Sequence, residues 1–112
     1  MSFIAKIASI CDLSKEAQQF IQLHTRHFEF KKGDIILEAG KPCEYLFSIS
    51  SGMIRGYYYN ETKEITNWIA HEGEFGTSFY SFISHNNSYE TIEALEKTNL
   101  EALHKKDLDE LY

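Results

Sequence analysis

The segment from Gly73 to Glu96 carries the residues best suited to bind a small polar ligand. A glycine-flanked turn and a short apolar-aromatic stretch come first, and a polar loop precedes the next alternating strand. Glycine lets the backbone approach a ligand closely, and N–H groups at a helix start attract negative charge. We therefore predict a ligand site at a short helical insert between two strands. Its candidate residues are Gly76, Thr77, Ser78, Asn87 and Ser88.

Two residues on the strands before the insert also have side chains that can contact a ligand. Trp68 can stack on a base or close a cavity, and it can equally fill the interior with its own ring; the sequence leaves both open. Arg55 lies between apolar and aromatic neighbours, and strand alternation puts it on the face opposite Gly56. We predict that Arg55 points outward along tyrosine rings.

Catalytic and metal-binding patterns are missing from the sequence. There is no nucleophile elbow, no P-loop and no pair of carboxylates in a plausible pocket, so we expect no enzymatic activity. His71, His85 and His104 are isolated, and no His-x-His pair occurs. His24 and His27 are three residues apart and would need a third ligand. We predict no metal site.

Length and composition indicate one ordinary globular domain over residues 1–112. Hydrophobic residues make up 43% and charged residues 25% of the chain, and the net charge is -6 with scattered Lys and Arg. Direct DNA binding by this chain is therefore not expected. No apolar run approaches the roughly 20 residues that span a bilayer. Cys11 and Cys43 have no paired spacing and are expected to be reduced thiols, which fits a cytoplasmic protein.

Hydrophobic periodicity predicts a mainly β chain with helices at both ends. Ser14 is the expected N-cap of a helix that runs to about Arg26, with Glu16 in its first turn. Other helices are predicted over 3–11 and from 106. The predicted strands cover 28–30, 35–38, 45–49, 53–59, 64–70, 89–95 and 99–103. Short strands about ten residues apart are typical of a jelly roll or β-roll. We expect the last helix to be cut by the chain end.

A series of short motifs also occurs in a fixed order between residues 13 and 112. They are Leu13-Ser14, Lys32-Gly33-Asp34, Glu38-Ala39-Gly40, the segment 45–52, Gly73-Glu74-Phe75, Glu93-Ala94-Leu95-Glu96 and Lys106-Asp107-Leu108. No single motif is specific, but their order resembles the cyclic-nucleotide-binding domain of the Crp/Fnr family of transcription regulators. The resemblance implies a double-stranded β-roll with a phosphate-binding insert.

In the cyclic-nucleotide binders of that family, a Glu in the insert accepts a hydrogen bond from the ribose hydroxyl, and an Arg about ten residues later pairs with the phosphate. Here the Glu position falls near Ser78, and the Arg position falls at Asn87 or Ser88. No Lys or Arg occurs between Lys63 and Lys97. Loss of such a charged contact costs about 1.5–3 kcal/mol.

The resemblance implies an effector-sensing regulatory domain of a bacterial transcription regulator. Its partner would be a small-molecule effector; a cyclic nucleotide is one candidate, and no cofactor is assigned with certainty. The helix after Lys106 would form a homodimer interface, and DNA would be contacted only through a domain absent from this chain. The alternative is a ligand-free scaffold whose roll is filled by Trp68, Phe79 and Phe82.

Overall fold

The structure is a computed structural model that describes residues 14–84 and 86–110. The helix predicted over 3–11 and Cys11 lie outside the described residues. The helices are α1 (Lys15–His24), α2 (Phe79–Ser84) and α3 (Lys105–Glu110). The strands are β1 (Arg26–Phe30), β2 (Ile35–Leu37), β3 (Tyr45–Ser51), β4 (Met53–Asn60), β5 (Lys63–His71), β6 (Phe75–Gly76), β7 (Thr91–Ala94) and β8 (Thr98–His104).

Within the described residues the strands form two antiparallel four-stranded sheets. Their orders are β1-β8-β3-β6 and β2-β7-β4-β5. Strands β4 and β5 form a hairpin, whereas the other paired strands are distant in sequence, as in the pairing of β3 with β8 and of β4 with β7. This arrangement with flanking helices confirms the predicted mainly β fold and the double-stranded β-roll.

The core lies between the two sheets. It consists of the inward-facing residues of strands along which buried and more exposed residues alternate. Ile92 and Ala94 of β7 are fully buried, whereas their neighbours Thr91 and Glu93 are half-buried. Side chains from both sheets meet there: Phe47, Ile49, Ile54, Ala70, Ile92, Leu100 and Ala102. Burial of apolar surface at about 25 cal/mol per Å² is the main force that holds the sheets together.

Helix α1 starts where the sequence predicts it and ends earlier. The Ser14 side chain accepts a hydrogen bond from the backbone N–H of Ala17 at 3.1 Å, which confirms the N-cap. Ile21 is buried against Leu103 in a second apolar cluster. The helix ends at His24, two residues before the predicted end, because Arg26 already pairs with Ala102 in the sheet.

The insert and its flanks also differ in detail from the prediction. The sequence did not indicate β6, which pairs with β3 through two residues. Strand β7 starts at Thr91 rather than at residue 89, because Ser88 exchanges backbone hydrogen bonds with the Gly40–Lys41 turn instead. Among the described residues, the helices are too short or too polar to cross a membrane.

Candidate functional site

Two of the predicted site residues meet inside the roll. Ser78 directly precedes α2, and its carbonyl accepts the backbone N–H of Phe82 at 2.9 Å. Ser88 lies in the loop on the other side of the insert. Their hydroxyl oxygens are 2.7 Å apart, and both side chains are buried. The fold therefore closes the two ends of the insert on each other.

The Ser88 hydroxyl also organises the turn that follows it. It donates to the Glu90 carbonyl at 2.8 Å and lies 3.1 Å from the Glu90 backbone nitrogen, which donates to it. With the Ser78 contact, this hydroxyl has three partners from its own chain. The Ser78–Ser88 pair is thus satisfied internally, as buried polar groups must be.

The other insert candidates have different surroundings. Thr77 is buried, and its hydroxyl donates to the Tyr45 carbonyl at 2.8 Å and lies 3.1 Å from the Cys43 sulfur. Gly76 is buried within β6. Asn87 is exposed and forms an isolated backbone bridge with Pro42. The assignment of these residues to ligand contacts stays a prediction.

Trp68 fills part of the interior beside Glu90. Its indole Nε1 donates to Glu90 Oε2 at 3.1 Å, and Glu90 is only 2% exposed. The ring lies so close to Gly56 that a Cβ there would be 2.3 Å from Nε1. A Cβ at Gly76 would be 3.3 Å from Trp68 Cζ3. The ring thus packs against the core in this structure, and the assignment of Trp68 to a ligand contact stays a prediction.

A β-bulge explains how two adjacent side chains reach the same carboxyl oxygen. Gly56 is opposite Trp68, whereas the next residue, Tyr57, is opposite Thr66, so Asn67 is the extra residue in β5. In a regular strand, neighbours point to opposite faces. At the bulge, Asn67 Nδ2 also donates to Glu90 Oε2, at 3.1 Å. Bulges re-aim side chains in this way.

Glu90 is the site residue that sequence reasoning missed. It lies in a polar loop, and only the folded chain shows that its side chain is buried. The one signal available was an acidic residue in a segment without Lys or Arg between 63 and 97. An ionised carboxyl group only accepts hydrogen bonds, so Glu90 can select donors and repel anions.

Arg55 points away from this interior, as predicted. Its Nε donates to Glu93 Oε1 at 2.9 Å, it also pairs with Glu64, and its guanidinium carbon is 4.1 Å from the Tyr57 ring centroid. Burial by itself lowers the pKa of Arg55, but the hydrogen bonds with Glu93 and Glu64 outweigh it and the pKa is raised. Burial, followed by the charge of Glu93, raises the pKa of Tyr57.

The insert helix is tied to its surroundings by two side chains. The Ser81 hydroxyl accepts the backbone N–H of Cys43 at 2.7 Å and donates to the Asn86 carbonyl. Lys105, the first residue of α3, donates through Nζ to the Phe82 carbonyl and lies 5.4 Å from the Phe82 ring centroid. The insert is therefore in direct contact with the last described helix.

The described residues form two surface clefts, of which the first borders the insert through Ser81. One of about 270 Å³ is lined by Cys43, Ser81, Lys105 and neighbouring residues, and one of about 460 Å³ follows β2 and Pro42. Neither is lined by Ser78, Ser88 or Trp68. In the part of the chain that the structure describes, no three His, Cys, Asp or Glu residues are arranged to hold a metal ion.

The fold and the insert define a β-roll domain with an apolar core between the sheets and a cluster of buried polar residues at the insert. The model of the cyclic nucleotide-binding domain family matches residues 27–112. The chain belongs to this family. A comparison of the sequence with curated proteins gives no match.

Three solved structures illustrate the similarity of fold. The sensor domain of the transcriptional regulator DNR from Pseudomonas aeruginosa has 17% identity and a TM-score of 0.80, with 99% of this chain and 79% of that chain covered. Thermus thermophilus catabolite activator protein has 22% identity and a TM-score of 0.75 (89% and 47% covered). The regulatory subunit of a cAMP-independent protein kinase A from Trypanosoma brucei has 17% identity and a TM-score of 0.82 (97% and 40% covered). The chain thus spans less than half of the latter two proteins.

Proposed function

We propose that this chain is the effector-sensing domain of a Crp/Fnr-like bacterial transcription regulator. The observation that carries the proposal is the Ser78–Ser88 pair, which is buried next to the buried Glu90 at the insert. Its place at the insert of a cyclic nucleotide-binding family member supports a small-molecule effector there. Similarity to the DNR sensor domain and to a catabolite activator protein supports a role in transcription.

The proposed mechanism is a shift between two populated states of the domain. An effector at the insert would change the contact of α2 with Lys105 and so bias α3. A ligand can do this only by binding the two states with different affinity. In this proposal residues 1–112 form one cytoplasmic domain without enzymatic activity. The helix that begins as α3 would form a homodimer interface, and DNA would be contacted by a domain that this chain does not contain.

A cyclic phosphate fits the insert poorly. No Lys or Arg occurs between Lys63 and Lys97, and Arg55 is already paired with Glu64 and Glu93. Lys105, the cation that contacts the insert, is already bonded to the Phe82 carbonyl. A phosphate buried between the serines and Glu90 would have to draw Lys105 away or stay unpaired, and a buried unpaired charge is strongly unfavourable. The effector is better matched by a molecule without that charge.

Calorimetric titration tests the effector directly. The chain is titrated with cyclic AMP, cyclic GMP and cyclic di-GMP up to about a millimolar, where even weak specific binding is measurable. Saturable heat that disappears in Ser88→Ala would make a cyclic nucleotide the effector. No heat with any of the three would remove cyclic nucleotides and leave an effector of another class.

The second candidate function is a ligand-free scaffold. It is favoured by the completeness of the interior: Trp68 fills it, and every deeply buried polar side-chain atom among the described residues has a hydrogen-bond partner. A transcription reporter whose regulator carries this domain separates the two functions. Ser78→Ala, which removes a single hydrogen bond of the domain, should weaken the effector response of a sensor, whereas a scaffold should regulate unchanged.

A further inference from the structure

We propose that the interior of the roll binds a planar, uncharged heteroaromatic ligand that donates an N–H hydrogen bond to Glu90, and that the Trp68 indole occupies the place of that ligand in the free domain. This inference rests on the proposed function and names the ligand class of the same site. We call the position of the indole, bounded by Gly56, Gly76 and Glu90, the indole slot.

The shape of the slot is set by two glycines. At Gly56 a Cβ would lie 2.3 Å from Nε1 and 2.4 Å from Cε2 of Trp68, which no real Cβ tolerates. At Gly76 a Cβ would lie 3.3 Å from Cζ3 of the same ring. Bare backbone therefore contacts both the pyrrole and the benzene part of the indole, as glycine permits. A flat bicyclic ring is the shape that this slot accepts.

The chemistry of the slot is set by Glu90. Its carboxyl group is buried and accepts the indole N–H at 3.1 Å. If a ligand without an N–H donor replaced the indole, the buried Glu90 carboxyl group would lose one hydrogen bond. This loss would lower the affinity for such a ligand. A ligand with a phosphate would be repelled. An uncharged ring with an N–H group meets both conditions.

The indole is held by a part of the fold that can release it. Trp68 is half-buried, whereas Ile54 and Ile92 beside it in the core are fully buried. Among residues 14–84 and 86–110, its strand β5 is the outermost strand of its sheet and pairs with β4 alone. The bulge at Asn67 interrupts that pairing next to Trp68. Strand edges and bulges are local weak points of a sheet, so the ring can leave without unfolding the core.

Asn67 keeps Glu90 in position when the indole leaves. Its Nδ2 donates to the same Oε2 at 3.1 Å and also lies 3.1 Å from the Tyr89 hydroxyl. The carboxyl group therefore retains one donor while an incoming ring supplies the other. This leaves the acceptor oriented for the ligand, which reduces the cost of binding.

A Trp68→Ala domain tests the slot with indole and indene as probes. The two molecules have nearly the same shape, but only indole carries an N–H group. We expect indole to bind the variant saturably and about tenfold or more tightly than indene, as for a hydrogen bond to a charged group. In Trp68→Ala/Glu90→Met this preference should disappear. A folded Trp68→Ala domain that binds neither probe, or both equally, would overturn the proposal.

The wild-type chain provides the deciding measurement if Trp68→Ala does not fold. Trp68 is the single tryptophan, so its emission reports the slot. Titration with adenine, a planar N–H donor that is not fluorescent, should change this emission saturably. An emission that stays constant up to the solubility limit of adenine would overturn the proposal.

The outcomes for the slot and for the proposed function can be told apart. Calorimetric binding of a cyclic nucleotide with unchanged Trp68 emission would overturn the slot and leave the sensor function intact. A second outcome combines two results: the Trp68→Ala domain binds indole more tightly than indene, and the transcription reporter responds to no effector. These results together would support the indole slot and remove the sensor function.

Discussion

The hydroxyl oxygens of Ser78 and Ser88 lie 2.7 Å apart in the interior of the roll, although the two residues are ten positions apart in sequence. The two serines occupy the ends of the insert that carries α2 between β6 and β7. The family resemblance places a Glu near Ser78 and an Arg at Asn87 or Ser88, and this domain has a neutral side chain at each of these positions. The insert is thus closed by its own side chains.

Replacement of Ser88 should destabilise the domain more than replacement of Ser78. Ser88→Ala removes three hydrogen bonds, to the Ser78 hydroxyl and to the backbone of Glu90, and should lower the free energy of unfolding by about 1–3 kcal/mol. Ser78→Ala removes only the shared one. Urea denaturation monitored by circular dichroism measures both, and the exposed Ser50→Ala is the matched control. Equal losses for all three variants would contradict this role of Ser88.

Gly56→Ala should be strongly destabilising because the added Cβ would lie 2.3 Å from the Trp68 ring. Overpacking of this kind costs about 1–3 kcal/mol, and more where the neighbour is rigid. Gly76→Ala is the matched control, since its closest contact is the Ile54 Cδ1 at 3.0 Å, the flexible end of a side chain. Thermal unfolding should show the larger loss for Gly56→Ala.

A double-mutant cycle attributes that loss to the indole. The cost of Gly56→Ala should fall by about 1 kcal/mol or more in a Trp68→Ala background, because residues in contact are not additive. If the losses of stability caused by Gly56→Ala and by Trp68→Ala simply add in the double variant, the Trp68 ring does not contact Gly56 in solution.

Tyr57 should be the tyrosine that ionises late on alkaline titration. Burial, followed by the negative charge of Glu93, raises its pKa above the ordinary value of about 10. A raised pKa means that the folded state holds the proton more tightly. The contribution of Tyr57 to stability is therefore fully present below pH about 10 and is lost as the pH rises through the higher folded pKa.

Ultraviolet absorbance of the tyrosinates checks this prediction. The difference between wild type and Tyr57→Phe isolates the Tyr57 titration, and Glu93→Gln should shift it to lower pH. A Tyr57 titration at the ordinary value in the wild type would show that the phenol is fully solvated.

Lys105→Met should loosen the insert helix without changing the sheets. The substitution keeps the length of the side chain but removes the donor to the Phe82 carbonyl and the cation beside the Phe82 ring. Amide hydrogen exchange over α2 should accelerate about three- to tenfold, as expected for one lost charged hydrogen bond at a partly exposed site. Lys106→Met, at an exposed neighbour, should leave this exchange unchanged. Acceleration by both variants would indicate a general charge effect instead.

Much of the fold follows from local patterns. The change from helical to alternating periodicity after α1 marks the start of the roll, and Ser14 caps that helix as its residue type indicates. Alternation along β4 also predicts that Arg55 faces outward, where the structure pairs it with Glu93 and Glu64. These features depend on residues within a turn or a strand of each other, so the sequence contains the necessary information.

The contacts of the candidate site depend on packing between distant strands. Glu90 meets Trp68 and Asn67 across 22 and 23 residues of sequence, and the bulge that aims both side chains exists only because β5 is paired with β4. Local periodicity assigns Asn67 and Trp68 to opposite faces and places Glu90 in the strand predicted over 89–95, whereas the observed strand begins only at Thr91. The sequence by itself determines two features. The order of its motifs indicates a β-roll, and the residue types of the insert show that no Lys or Arg side chain there can pair with a phosphate. Only the tertiary structure decides that the interior is closed by Ser78, Ser88, Trp68 and Glu90, because a one-residue shift in strand register changes which side chains meet.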